Sequence, residues 1–226
     1  MSEVKTHIDR YKAFFFDFDG VIVDSVDIKT RAFAELFKDY GEEAVRKVVD
    51  YHLNNGGVSR YEKFRYYYKN ILNREITDEI MDGLDERYSR LVVEKVVEAP
   101  FIKGAIDFIK KINQSGRDCF IISATPKKEI EDITTSRRIG KYFKEIVGSP
   151  RTKKENLKYL LDKYDIDSEK AIYFGDARGD YEAAEEENID FIGIVNEHSK
   201  ELKGLGRITK IEYFNPDLAL QGDRNA

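Results

Sequence analysis

The sequence predicts an α/β fold, in which a parallel sheet carries helices on both faces and a small helical unit is inserted near its start. Three observations predict it. Short, continuous apolar runs are typical of strands buried on both faces. Helix-period segments follow several of these runs, and the strand pattern is missing between residues 25 and 97. Strand alternating with helix indicates a Rossmann-like, doubly wound parallel sheet.

The core elements follow from these patterns in chain order. Apolar runs predict strands at residues 13–16, 119–122, 171–174 and 191–195, with a weaker run at 145–147. Apolar residues at helical spacing predict helices at 106–112, 127–136, 153–164 and 180–187. Beyond Gly204 the signals weaken, and we expect the end from Gln221 onward to be frayed.

The inserted unit is predicted to be helical throughout. Phe33, Leu36 and Phe37 recur at helical spacing, and a further helix is expected from Thr77 towards Val96. Between them, Ser59 followed by Glu62 forms a capping-box pattern just after a glycine pair. We therefore divide the chain into an α/β catalytic core, residues 1–24 and 97–226, and a small α-helical cap domain, residues 25–96.

Composition limits the class of protein. The chain has 226 residues, 41% of them hydrophobic and 36% charged, which is typical of a soluble globular protein. Its net charge of −5 does not favour nucleic acid or anionic membranes as partners. The first residues do not resemble a signal peptide, and no apolar run approaches the ~18 residues of a membrane span. With Cys119 as its single cysteine, the protein is expected to be cytoplasmic.

The first candidate site is Asp17-Phe18-Asp19-Gly20, at the end of the first predicted strand. Two carboxylates there repel each other and are poorly solvated, which costs free energy unless a cation compensates it. Oxygen ligands without a nearby histidine or cysteine suit Mg²⁺. A second Asp-x-Asp pair, Asp165 and Asp167, follows a helix pattern and is explained by a solvated turn.

Two further candidates carry groups that bind phosphate. Ser123, Ala124 and Thr125 end the second predicted strand, where hydroxyls and amides either cradle phosphate or cap the next helix. Lys153 and Lys154 open a helix, where the helix dipole disfavours a cation, so the pair indicates either a nearby anion or a solvated surface.

The last candidate, Gly175-Asp176 to Asp180, follows another buried strand. A helix N-cap explains Asp180, whereas a metal ligand explains Asp176. All four segments fall at the carboxyl ends of predicted parallel strands or directly after them, where open α/β sheets bind ligands. The carboxylates would bind Mg²⁺, and the lysine would neutralise the oxygens of a phosphoryl group. This combination predicts phosphoryl transfer.

These segments, in this order, resemble the motifs of the haloacid dehalogenase (HAD) superfamily, and the insert resembles the helical cap of its phosphoglycolate phosphatase and β-phosphoglucomutase-like members. The resemblance implies that Asp17 is the nucleophile that forms an aspartyl phosphate and that Asp19 is the general acid and base. It assigns Mg²⁺ to the Asp17 carboxylate, the Asp19 carbonyl and Asp176, with Asp180 as a supporting residue.

In the same resemblance Ser123 and Ala124 bind the transferring phosphate and a lysine stabilises its charge. The family often places proline after this lysine, whereas Lys154 follows Lys153 here, so either lysine fits; spacing favours Lys153. A phosphatase also needs the second acidic residue of the first motif, and Asp19 supplies it, which argues against a dehalogenase.

Substrate choice is expected to lie in the cap. Gly56-Gly57-Val58-Ser59-Arg60 resembles the specificity loop of β-phosphoglucomutases, so Arg60 is the candidate substrate residue. Lys29 stands where those mutases carry a histidine, which favours hydrolysis. Further cap or hinge candidates are Lys29, Arg31, His52 and Lys63, although a solvated surface position is favoured for each of them.

The leading prediction is therefore a Mg²⁺-dependent phosphatase of a small phosphorylated metabolite, acting as a monomer or homodimer. A β-phosphoglucomutase-like sugar phosphomutase is the alternative, and a non-catalytic binding domain is the alternative from another class.

Overall fold

The protein has a six-stranded parallel sheet with strand order β3-β2-β1-β4-β5-β6. The structure is a computed structural model, and it describes residues 8–196, 199–206 and 208–215. The strands are β1 (Ala13–Phe16), β2 (Asp118–Pro126), β3 (Glu145–Ser149), β4 (Ala171–Gly175), β5 (Asp190–Ile194) and β6 (Thr209–Ile211). This architecture confirms the predicted α/β class.

Of the α-helices in the described residues, four lie between Val26 and Glu98 and five lie from Ala105 onward. The first group is α1 (Val26–Phe37), α2 (Glu42–Asn54), α3 (Arg60–Tyr66) and α4 (Asp78–Glu98), with a π-helical turn at Tyr67–Ile71. The second group is α5 (Ala105–Gln114), α6 (Lys127–Ser136), α7 (Lys153–Tyr164), α8 (Arg178–Glu186) and α9 (Lys200–Gly204).

Both faces of the sheet are buried because β1 contributes aromatic side chains to each. Phe14 and Phe16 point into the cluster that includes α5, and Phe16 stacks on Phe174 with ring centroids 5.0 Å apart. Phe15 points to the opposite face, where its ring lies 5.0 Å from that of Phe120. Burial on both faces explains why the sequence of β1 is continuously apolar rather than alternating.

The inserted helices pack aromatic side chains against one another, within the same buried cluster as one face of the sheet. Phe33 packs against Tyr67 and Tyr88, with ring centroids 5.7 and 4.5 Å away. Of the three consecutive tyrosines, Tyr67 and Tyr68 are buried and Tyr66 is partly exposed, as expected for successive positions on one helical segment. The division into residues 25–96 and the remainder stays a prediction.

The local predictions differ from the structure at three places. Strand β2 continues to Pro126, which is the N-cap of α6, so Ser123 and Thr125 do not cap that helix. Helix α8 begins at Arg178, and Asp180 lies within its first turn, so the N-cap interpretation of Asp180 is wrong; its Oδ2 accepts a hydrogen bond from the Ala177 N–H. Strand β6 was not predicted, and the expected frayed end from residue 221 lies outside the described residues.

Candidate active site

The sequence-predicted residues meet at one edge of the sheet because β2, β1 and β4 are neighbours in parallel register. Phe16 aligns with Ile121 and with Phe174, so the residues that follow these positions emerge side by side. Asp17, Ser123 and Asp176 therefore converge at the carboxyl ends of the strands, although they are far apart in sequence.

Lys153 is the lysine that reaches this edge. Its Nζ lies 2.7 Å from Asp17 Oδ2 and 2.6 Å from Asp180 Oδ1, and the whole side chain is buried. Burial acts to lower the pKa of Lys153, but the Asp17 and Asp180 carboxylates outweigh it and raise the pKa above its ordinary value. Lys154 instead points outward, where it is 49% exposed and pairs with Glu186.

Asp180 fixes the position of Lys153 and is itself fixed by two further hydrogen bonds. Its Oδ1 also accepts a hydrogen bond from the Tyr173 hydroxyl at 2.9 Å, and its Oδ2 accepts one from the Ala177 N–H at 3.1 Å. Because both oxygens already accept hydrogen bonds, Asp180 acts on the site through Lys153 and the loop after β4.

Three carboxylates form a cluster beside Lys153. Single oxygens of Asp17, Asp176 and Asp180 all lie within 4.8 Å of one another. Burial raises the pKa of Asp17 to about 7, against the opposing effect of Lys153. Burial and the charges of Asp17 and Asp180 raise the pKa of Asp176 well above its ordinary value. Such a cluster is unfavourable as free carboxylates and would be stabilised by a cation.

Asp19 has a different environment from Asp17. Its Oδ1 accepts a hydrogen bond from Ser25 Oγ at 2.6 Å, and its Oδ2 is paired with the Lys29 ammonium. Lys29 Nζ also donates to Thr125 Oγ1 at 2.8 Å. Burial acts to raise the pKa of Asp19, but Lys29 and Ser25 outweigh it and lower the pKa. The pKa values of the two aspartates of the first motif are thus shifted in opposite directions, because burial dominates at Asp17 and the Lys29 and Ser25 partners dominate at Asp19.

The predicted phosphate-binding segment lies between these groups. Ser123 is buried, and its Oγ accepts a hydrogen bond from the Thr125 N–H at 3.1 Å. Ala124 and Thr125 line the cavity above the sheet edge.

The inserted helices cover the edge of the sheet where the strands end, and a cavity of about 410 Å³ lies between them and that edge. Asp17, Asp19 and Asp176 form its floor, and His52, Lys63 and Arg60 contribute to its roof. The loop before α3 lies against the first turn of α8: a Cβ added to Gly57 would be 3.4 Å from Gly179 Cα. This close approach brings cap side chains within reach of the strand ends.

Arg60, the predicted substrate residue of the cap, is buried in an ion-pair network. Its Nη1 lies 3.1 Å from Asp85 Oδ1 and 2.7 Å from Ser89 Oγ, and its Nη2 pairs with Glu129. The guanidinium also lies over the Tyr88 ring, 4.6 Å from its centroid. Since Glu129 belongs to α6 and Asp85 to α4, Arg60 links the inserted helices to the sheet domain.

Three basic side chains for which a solvated position was favoured instead line the cavity. Lys63 and His52 are buried, and Lys29 is largely so; all three line the cavity, whereas Arg31 is exposed as predicted. The sequence contains a pattern that could have predicted the burial of the two lysines. Lys29 and Lys63 each lie four residues before a core aromatic, Phe33 and Tyr67, and therefore share its helix face.

Comparison with known proteins identifies the family. The sequence pattern described as haloacid dehalogenase-like hydrolase matches residues 14–194. The chain belongs to the haloacid dehalogenase-like hydrolase family. The match begins in β1 and ends with β5, so it includes all four predicted motifs.

Relatives of this HAD family member are phosphatases. A phosphoglycolate phosphatase of Aliivibrio fischeri is 26% identical over 77% of this chain and 79% of its own length. A phosphorylated carbohydrates phosphatase of Thermotoga maritima is 23% identical over 82% of this chain and 86% of its own length. The predicted enzyme class is confirmed: the chain is a phosphatase, a phosphoric monoester hydrolase.

The fold is shared with solved structures of the superfamily. CbbY from Rhodobacter sphaeroides, in complex with phosphate, superposes with a TM-score of 0.73 at 15% identity, covering 94% of this chain and 96% of that one. In residues 8–196, 199–206 and 208–215, none of the helices has both the length and the hydropathy needed to cross a membrane.

Proposed function

We propose that this HAD hydrolase is a Mg²⁺-dependent phosphatase of small phosphate monoesters that works through an aspartyl phosphate on Asp17. The observation that supports it most strongly is the position of the Asp17 carboxylate. It lies at the end of β1, on the floor of the cavity, with Lys153 Nζ at 2.7 Å and Asp176 in the same carboxylate cluster.

The residues present fit a magnesium ion. The donors are oxygens, and the buried Asp17 and partly buried Asp176 carboxylates lack a full counter-charge, since Lys153 is shared with Asp180. Asp17, the Asp19 backbone carbonyl and Asp176 would hold the ion, with Asp180 supporting them. When bound, Mg²⁺ would neutralise charge on the phosphoryl oxygens.

The first step forms a bond between an Asp17 carboxylate oxygen and phosphorus and breaks the bond between phosphorus and the ester oxygen. The leaving oxygen takes its proton from Asp19 and departs as an alcohol. Phe18 N–H donates to Asp17 Oδ1 at 2.6 Å and Lys153 approaches Oδ2, so the nucleophilic carboxylate is held in one orientation.

The second step transfers the phosphoryl group to water. Asp19, as a carboxylate, takes a proton from the water while the water oxygen bonds to phosphorus, and the Asp17–phosphorus bond breaks to regenerate the free carboxylate. Lys29 and Ser25 favour the ionised form of Asp19 that this step requires. Lys153 and the Ser123–Ala124 segment would bind the phosphoryl oxygens.

Hydrolysis is favoured over the mutase alternative by the partners of Arg60. A mutase of the resembled type would use this arginine for a second phosphate, and here Asp85 and Glu129 already neutralise it. The named activities of the relatives, on phosphoglycolate and phosphorylated carbohydrates, support a small phosphorylated metabolite as substrate.

Phosphate release is the measurement that tests this proposal. We would assay a panel of phosphorylated acids, sugar phosphates, nucleotides and a chromogenic ester, with Mg²⁺ or with EDTA. Asp17→Asn should lower the rate by about a thousandfold or more. Asp165→Asn is the matched control, because Asp165 is exposed and asparagine tolerates its positive φ of 51°. Metal-independent turnover, or turnover that survives in Asp17→Asn, would overturn the proposal.

A further inference from the structure

Lys63 is a buried cation in the roof of the cavity. Its side chain is on α3, only 2% of the residue is exposed, and its Nζ lies 2.9 Å from His52 Nδ1 on α2. The Phe33 ring centroid is 5.6 Å from Nζ. These contacts fix the amine in one position, but neither supplies a negative charge.

The other cationic side chains on the cavity wall are already neutralised, in the part of the chain that the structure describes. Lys29 pairs with Asp19, Arg60 with Asp85 and Glu129, and Arg178 with Glu182. No carboxylate of the described residues forms an ion pair with Lys63. Burying an ammonium without a carboxylate partner is unfavourable, and a bound anion would relieve that cost.

We propose that Lys63, oriented by His52, binds a carboxylate of the substrate and so selects phosphate monoesters of small hydroxy acids. This proposal rests on the proposed phosphatase function, because it places the phosphoryl group on the floor and the second anionic group under the roof. Lys63 is a specificity residue and His52 its positioning residue.

The electrostatics of the cavity support a second anion at this point. Burial, followed by the charges of Lys29 and Lys153, lowers the pKa of Lys63 to about 7. Asp19 and Asp176 act in the opposite direction. A neutral sugar hydroxyl would satisfy the hydrogen-bonding capacity of the amine but not its charge, whereas a carboxylate would satisfy both.

The test compares two esters that differ only in the carboxylate. Phosphoglycolate carries it, and 2-hydroxyethyl phosphate has a neutral alcohol in its place. We expect wild-type kcat/KM to favour phosphoglycolate, and Lys63→Met to lower that preference by about 10- to 100-fold, the range for hydrogen bonds to charged groups. His52→Asn should lower the preference by a smaller factor. Lys47→Met is the matched control, since Lys47 is an exposed cap lysine paired with Glu43.

The outcomes separate this proposal from the function on which it rests. If both esters are hydrolysed with Mg²⁺ and Asp17→Asn abolishes the hydrolysis, the phosphatase function stands. The ratio of kcat/KM for phosphoglycolate to that for 2-hydroxyethyl phosphate then decides the role of Lys63. An equal fall for both esters in Lys63→Met would indicate a structural role and overturn the proposal. A preference for a sugar bisphosphate that Lys63→Met removes would overturn it in favour of a second phosphate.

Discussion

Lys153 Nζ lies 2.7 Å from Asp17 Oδ2, so the first residue of α7 is bound directly to the first residue after β1. A cation in the first helical turn is disfavoured by the helix dipole. Here Asp17 and Asp180 offset that cost, because both carboxylates are buried and lie within 2.7 Å of the same ammonium. The lysine therefore fixes the position and the charge of the proposed nucleophile.

Replacing Lys153 by Met should abolish most of the activity while the adjacent Lys154→Met should not. We expect kcat to fall by about 100- to 1000-fold in Lys153→Met, because one preorganised donor to the phosphoryl oxygens is lost. Lys154 is half-exposed and pairs with Glu186, so its loss should leave kcat within about twofold. Steady-state phosphate release measures both, and similar rates in the two variants would contradict this assignment.

A methyl group at Gly20 should damage the proposed metal site. Gly20 has φ +76°, and an added Cβ would lie 2.1 Å from Asp176 Oδ2. In Gly20→Ala we expect Asp176 to be displaced and the Mg²⁺ concentration for half-maximal activity to rise by about tenfold or more.

Gly83→Ala is the control for this substitution. Gly83 lies within α4, and nothing is within 4 Å of its added Cβ, so alanine should stabilise the helix by about 0.5–1 kcal/mol without changing Mg²⁺ dependence. An unchanged magnesium titration in Gly20→Ala would show that the close contact does not shape the metal site.

The sheet, and the edge of it where the candidate site lies, were predictable because local sequence signals agree there. Continuous apolar runs mark strands buried on both faces, and Asp17 and Asp176 follow two of them directly. Asp165 and Asp167 have the same spacing as the first motif but lie at an exposed turn, as expected from the helix before them. The position directly after a buried strand, rather than the Asp-x-Asp spacing, distinguishes the candidate site from the exposed pair.

The roof of the cavity was not predictable in the same way. Lys63 looks solvated in sequence, because its burial depends on the positions of His52 and Phe33 on other helices. The partners of Arg60 could not be predicted either, since Glu129 lies 69 residues away in the sequence, on α6. Local spacing predicts which residues share a helix face, but not which helix will cover that face.

Glu129→Gln should weaken the link between the inserted helices and the sheet domain. It leaves the buried Arg60 guanidinium with Asp85 as its remaining carboxylate partner, and we expect the free energy of unfolding to fall by about 1–3 kcal/mol. Denaturant unfolding measures the change. Lys128→Met, which removes an exposed pair with Asp132 on the same helix, should have no measurable effect. Equal stability in both variants would rule out a structural link.

The preference for an acidic ester should decline with rising pH. Since the pKa of Lys63 is lowered to about 7, its ammonium is protonated below that pH and loses its charge above it. The ratio of kcat/KM for phosphoglycolate to that for 2-hydroxyethyl phosphate should fall about tenfold per pH unit above pH 7. Ionisation of Asp17, Asp19 and the phosphate group affects both esters and cancels in the ratio.

A Lys63→Arg variant provides the control for this profile. Arginine stays protonated throughout the range, so the ratio should become independent of pH. A ratio that declines in the same way in Lys63→Arg would assign the titration to another group.

The central claim is that Asp17 carries the phosphoryl group during turnover. It is tested most directly by quenching the enzyme in acid during hydrolysis of a radiolabelled phosphate ester with Mg²⁺, reducing acyl phosphates with borohydride, and mapping the modified residue by peptide mass spectrometry. We predict substrate-dependent labelling and reduction at Asp17, and neither in Asp17→Asn. Modification of a different residue, or rapid hydrolysis by Asp17→Asn, would contradict the mechanism.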